Sequence, residues 1–219
     1  AFTTQADDAT ITLNDPANAM VGGVSFTSTD TDADDAEAVA LTNSLATVLA
    51  GTTETGDFTV TSGGAVTQTG ALDIDGAATF DAAGSGITLT ENSNDFSGRL
   101  NADGASIALT NANAIDLGTV GAAGDLTVSA GGDVTDSGTV NVAGATAVTT
   151  TGNIVLDTTN NDFDSDDSGD PVDADGNAVT LTDTDSIDLG AVNAATGLTV
   201  NANRGDTGGA ITNSGLLVV

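Results

Sequence analysis

GDFTVTSGGAVTQTG, residues 56–70, is written again as GDLTVSAGGDVTDSG at residues 124–138, an offset of 68 residues. GLTV (197–200) and GGAITNSG (208–215) begin a third, looser copy. A chain that repeats itself is a stack of similar units before it is a set of independent domains. The repeat divides residues 1–219 into a partial copy over 1–55, a full copy over 56–123, a full copy with an insertion over 124–196, and a partial copy over 197–219. Together these are expected to form one continuous solenoid.

Within a copy the apolar residues fall as singles or as pairs two apart: Phe58 and Val60, Val66, Leu72 and Ile74, Phe80, Ile87 and Leu89, Phe96. A period of two is that of a strand with one buried face. Glycine- and asparagine-rich turns separate the groups. Strands of about three to five residues, three to a coil of about 22 residues, give about 67 residues for three coils, close to the observed offset. The expected fold is therefore all-β, a right-handed parallel β-helix (β-solenoid) with a super-repeat of 68 to 72 residues. Coils stacked at about 4.8 Å would make a rod on the order of 50 Å long.

The second copy stays in register through Val134, Val140, Val142, Val148, Ile154, Leu156 and Phe163. ASIALTNANAIDLG (105–118) then returns as NAVTLTDTDSIDLG (177–190) at an offset of 72. The extra residues lie between Phe163 and Asn177, which places an insertion in one loop. In the first copy, residues 35–51 admit two readings. Val39, Leu41, Leu45, Val48 and Leu49 stand at near-helical spacing, whereas alignment with the later copies favours strands. Asn18, Asn92, Asn94, Asn160 and Asn161 occupy turn positions where stacked amide ladders would fix the order of coils.

The acidic residues number 32 against two arginines, Arg99 and Arg204, for a net charge of −30 with no histidine or lysine. Such a surface repels nucleic acid and anionic membranes and attracts divalent cations or basic partners. Cysteine is absent, so no disulfide framework is available. No apolar run approaches the roughly 18 residues a bilayer span needs, so no membrane insertion is expected.

The densest candidate site is the insertion, where alternating aspartates precede glycine in the manner of oxygen-ligand calcium loops. Asp162, Asp164, Asp166, Asp170, Asp173 and Asp175 are its candidate ligands, and Asp30, Asp32 and Asp34 form a second cluster in the first copy. Asp167 stands where an EF-hand needs glycine, and no terminal Glu follows. A solvated acidic loop that keeps molecules apart is the competing reading. Catalysis is not expected: histidine, tyrosine and lysine are missing and no nucleophile constellation is present.

GDLTVSAGGDVTDSGTVNV (124–142), ITLTENSNDFSG (87–98) and ALTNANAIDLGTV (108–120) resemble the parallel β-helix repeats of filamentous-haemagglutinin-type adhesins and other giant bacterial surface proteins. The resemblance implies an extracellular, cell-surface location and a structural or adhesive role. The chain starts mid-repeat and closes on an apolar strand, so further repeats of the same polypeptide, or copies of it end to end, are the expected partners. Glycans of a host or neighbouring cell are others. Two alternatives stay open, a calcium-stabilised tandem β-sandwich module and a carbohydrate-binding or carbohydrate-cleaving β-helix.

Overall fold

In the segment Asp57–Ser62, Phe58, Val60 and Ser62 are buried while Asp57, Thr59 and Thr61 face solvent. The period of two is thus realised as a half-buried strand. The computed structural model describes residues 1–5, 9–28, 37–54, 56–166, 168–202 and 209–219. Among them the chain forms strands and no helix. The strands pair in parallel from one coil to the next, in about ten turns of about 20 residues. Parallel pairing throughout excludes the β-sandwich alternative, whose sheets are antiparallel. The chain divides into two compact units, Ala1–Ala112 and Asn113–Val219, and each is built as a parallel β-solenoid.

In the first unit the register stacks Val39 on Phe58, Ala78 and Leu100, and Leu41 on Val60, Phe80 and Ala102. Large and small side chains alternate along each column, which is how a narrow interior is filled without voids. Phenylalanine rings form a continuous pile, with Phe2, Phe26, Phe58, Phe80 and Phe96 at successive centroid separations of 5.6, 5.6, 6.0 and 6.1 Å. These separations are those of favourable stacked or edge-to-face pairs. A glycine column closes one corner. Gly76 donates to Gly56 O at 3.1 Å, and a Cβ at Gly56, Gly76 or Gly98 would overlap the backbone of the preceding coil.

In the second unit Ile115 stacks on Val134, Ile154 and Val179, and Val128 on Val148 and Ala174. Its only phenylalanine is Phe163. From Leu126 to Thr146 the coil takes 20 residues, and from Thr146 to Val172 it takes 26. The excess is the insertion after Phe163, carried in a loop while the ladder continues.

Of the two readings of residues 35–51, the strands favoured by alignment are the ones that form, from residue 37 onward: Ala38–Asn43 and Thr47–Glu54 are strands, and Leu45 is exposed in the turn between them. Coil-to-coil hydrogen bonding outweighs the local helical spacing. One expectation needs correction: the strands run longer than three to five residues in places, reaching Val172–Asp183 and Ile187–Ala202. Pairing there continues around corners through register shifts, between Val172 and Ala174 and between Gly176 and Ala178.

Candidate functional site

Three turns share one polar arrangement. The backbone carbonyls of Asn18, Asn94 and Asn161 each accept an N–H from the following coil, from Ser44, Ala112 and Thr184 respectively, at 2.7–2.8 Å, and the Asn18 side-chain amide donates to Leu13 O at 3.0 Å and Thr42 O at 3.2 Å. The Asn94 amide reaches further, donating to Leu89 O and Thr110 O at 3.2 Å and accepting from Leu72 N at 3.0 Å. Asn161 accepts from Val140 N at 2.8 Å and donates to Asp136 Oδ2 at 2.6 Å. These side chains are clasps between coils rather than stacked ladders. Asn94 and Asn161 are fully buried, whereas Asn92 and Asn160 are exposed.

A second set answers the first. Asn43 Oδ1 accepts from Met20 N, Asn111 Oδ1 from Phe96 N, and Asp183 Oδ2 from Phe163 N, each at 2.8 Å. The last member is a carboxylate with no exposed surface. Its Oδ1 also accepts from Asp185 N at 2.7 Å. Burial pushes the Asp183 carboxyl up to about 6, against the lowering effect of these two bonds, and the charges of Asp162 and Asp185 add to the rise. This set was missed by the sequence reading, although Leu-Thr-Asn (41–43), Leu-Thr-Asn (109–111) and Leu-Thr-Asp (181–183) were its visible trace.

The acidic insertion is divided by the structure. Asp164, Asp166 and Asp170 converge, with a carboxylate oxygen of each within 4.8 Å of the others. Ser168 N donates to Asp164 Oδ1 at 2.9 Å and to Asp166 Oδ1 at 3.1 Å, and Ser168 Oγ lies 2.6 Å from Asp170 Oδ2. Asp164 adopts φ of 96°, a conformation aspartate tolerates better than most residues, and its Oδ2 accepts from Gly169 N at 2.7 Å. Asp162 turns to a different group with Asp183 and Asp185. Asp173 and Asp175 lie on the next strand, where they accept from Ala191 N at 2.6 Å and Asn193 Nδ2 at 3.0 Å. Asp30, Asp32 and Asp34 lie outside the described residues, as does Arg204.

In the first unit a shallow groove of about 540 Å³ crosses the outer face, lined by Ser25, Thr27, Thr53, Asp73, Ser93 and Asp95 among others. It coincides with the register shifts between Val24 and Phe26 and between Leu49 and Ala50. Its walls offer hydroxyls and carboxylates.

A family model described as repeats of unknown function, DUF5649, matches residues 36–103, 104–168 and 176–219. The chain belongs to this family. No curated protein and no solved structure matches it. The DUF5649 boundaries agree with the hydrogen bonding: Asn43, Asn111 and Asp183 each stand seven residues after the start of a matched repeat. Each DUF5649 copy therefore opens on a strand that ends in an inward amide or carboxylate, and that group clasps the coil before it.

Proposed function

We propose that this chain is a non-catalytic structural or adhesive fibre element of a microbial cell surface, its core continued by further coils of the same kind. The observation that carries the reading is the apolar column at the last coil of the second unit. Ile187 and Val192 are each 1% exposed, whereas their register partners Ile211 and Leu217 are 52% and 38% exposed. Leu216, Val218 and Val219 are exposed as well, Val218 on the outer face in register with exposed Asn193. Exposed, unpaired parallel edges over an apolar interior favour addition of another coil. That coil belongs either to the same polypeptide or to another copy, which would generate an open, heterologous stack.

The extracellular setting is supported by the resemblance to surface adhesins and by a net charge of −30, which keeps such surfaces soluble and apart. The hydroxyl-lined groove is the natural adhesive face for a glycan, and calcium is the cation that the converging Asp164, Asp166 and Asp170 would hold. Electron microscopy and sedimentation of the purified chain across concentration, with and without calcium, test the assembly. Fibres or stacked oligomers that are lost in Leu217→Asp support stacking between copies. A wild-type chain that stays monomeric at high concentration removes it and leaves continuation within one polypeptide. Globular particles that ignore Leu217→Asp would sink the reading.

A further inference from the structure

The clasp at Asn94 is made on two sides. Toward its own turn and the following coil, Nδ2 donates to Leu89 O and Thr110 O. Toward the preceding coil, Oδ1 accepts from Leu72 N at 3.0 Å and from Gln68 Nε2 at 2.7 Å. Asn161 repeats this backward half, with Val140 N donating to it at 2.8 Å and Asp136 lying 2.6 Å away. Parallel pairing continues from each clasp. Asp95 and Phe96 lie against Asp73 and Ile74, and Asp162 and Phe163 against Asn141 and Val142.

Asn18 holds the same place in the first copy, five residues after Leu13 as Asn94 is five after Leu89. It makes the forward half alone: Nδ2 reaches Leu13 O and Thr42 O, and among the described residues no donor reaches Oδ1. Met20 is the counterpart of Phe96, since each gives its N–H to an asparagine of the following coil. Yet Ala19 and Met20 form no strand, and Ile11 and Met20 are only half-buried where Ile87 and Phe96 are buried.

The second unit carries the missing half. GGAITNSGLLVV (208–219) aligns without a gap with GGAVTQTGALDI (63–74) and GGDVTDSGTVNV (131–142). Asn213 therefore stands where Gln68 and Asp136 stand, and Leu217 where Leu72 and Val140 stand. Asn213 Nδ2 donates to Gly215 O at 3.2 Å, as Gln68 Nε2 donates to Gly70 O at 2.9 Å. Its amide is thus already turned as the clasp requires. Ile211 and Leu217 are exposed, whereas Val66 and Leu72 are buried.

We propose that a second copy of this chain docks head to tail in one fixed register, with Asn213 and Leu217 of one copy completing the Asn18 clasp of the next. The proposal rests on the stacking reading above and adds the pairs that define it. Leu217 N and Asn213 Nδ2 donate to Asn18 Oδ1. Ile211 pairs with Ile11, as Val66 pairs with Ile87 and Val134 with Ile154. Val218 and Val219 lie against Ala19 and Met20. The occupant is another copy because both halves, present on one sequence, rebuild an interface that the chain already makes twice within itself. Each dimer leaves one half of each kind unused, so the contact is heterologous and propagates.

The absence of cysteine allows a direct test. Ala19→Cys chains are mixed with Val218→Cys chains and oxidised at about 0.5 M salt, where repulsion between such acidic chains is screened. Both positions are exposed, and Cα atoms paired across adjacent strands lie within disulfide reach. A cross-linked heterodimer is expected. Leu216→Cys in place of Val218→Cys, two residues out of register, should give at least about tenfold less. Asn213→Ala, which removes a side chain bonded only within its own turn, should weaken association in sedimentation by roughly three- to tenfold and leave the melting temperature unchanged. Wild-type chains that stay monomeric would overturn this proposal together with stacking between copies. Chains that form oligomers but cross-link equally in both pairings, or ignore Asn213→Ala, would overturn the register alone and leave the stacking reading in place.

Discussion

Asn111 in the first unit and Asp183 in the second occupy the same place in consecutive repeats, and each receives a backbone N–H from the phenylalanine of the coil before it, Phe96 or Phe163, at 2.8 Å. One group is neutral at every ordinary pH and the other is not. The fold therefore asks only for an inward acceptor at this position. Charge is a local variation, permitted because a second backbone N–H, from Asp185, shares the load on the carboxylate. The third member, Asn43, shows what an amide adds: its Nδ2 donates to Ala46 O at 3.1 Å and Met20 O at 3.3 Å, which an ionised carboxylate cannot do.

The harshest way to break the comparison is to remove what both clasps hold. Phe96→Asp and Phe163→Asp should each cost roughly 3 kcal/mol or more, since both rings are 1% exposed and an unpaired charge would replace them. Urea denaturation measures this, and a loss below about 1 kcal/mol at either position would remove that residue from the core.

Asn111→Asp comes next. Given a carboxyl as buried as that of Asp183, the variant should lose on the order of 2–3 kcal/mol at pH 8 and little at pH 3.5. The direction follows from Asp183, whose folded-state value is raised from 3.8 to about 6. A group so raised gives its full stability below the unfolded value and loses it as the pH climbs through the folded one. The converse change, Asp183→Asn, should gain about 1–2 kcal/mol above pH 7, part of the linkage term being offset by the acceptor that Asp185 N loses. It should also flatten the wild-type decline in stability between pH 4 and 6. Thermal melts of wild type and variant across that window decide it, and parallel curves would mean that Asp183 is not the titrating group.

Deleting residues 165–170 should have the smallest effect, within about 0.5 kcal/mol, because this shortens the 26-residue coil to the 20 residues of the coil before it. Chain collapse on deletion would show that the loop supports the ladder.

The architecture was legible because solenoid geometry repeats whatever it demands. Apolar pairs two apart announced the strands, and the step from an offset of 68 to one of 72 marked the loop after Phe163. The inward polar groups were harder to see. Asn43, Asn111 and Asp183 follow threonine at the end of a strand, and by type alone they read as turn residues, since only burial separates a clasp from a turn. Glu37 and Glu54 were hidden by their company: among so many acids, composition describes a surface, and nothing in the spacing says that two of them point inward. The aspartates of the insertion misled in a milder way. Their alternation suggests one cluster, but the chain turns between Asp162 and Asp164 and straightens again at Val172, so neighbours in sequence end in separate groups.

The glycine corner of the first unit also bears on how such a chain can change over generations. Every codon reached from glycine by one base change, other than another glycine codon or a stop, adds at least a Cβ, and at Gly56, Gly76 and Gly98 that atom has nowhere to go. Substitution at these three positions is costly for as long as the backbone keeps this path, while the loop after Phe163 has already accepted several added residues. The later copies escape the constraint only where the path differs, with Thr196 and Ser165 in the places of Gly56 and Gly98, so lineages of this fold would diverge most readily by lengthening loops and by exchanging whole coils.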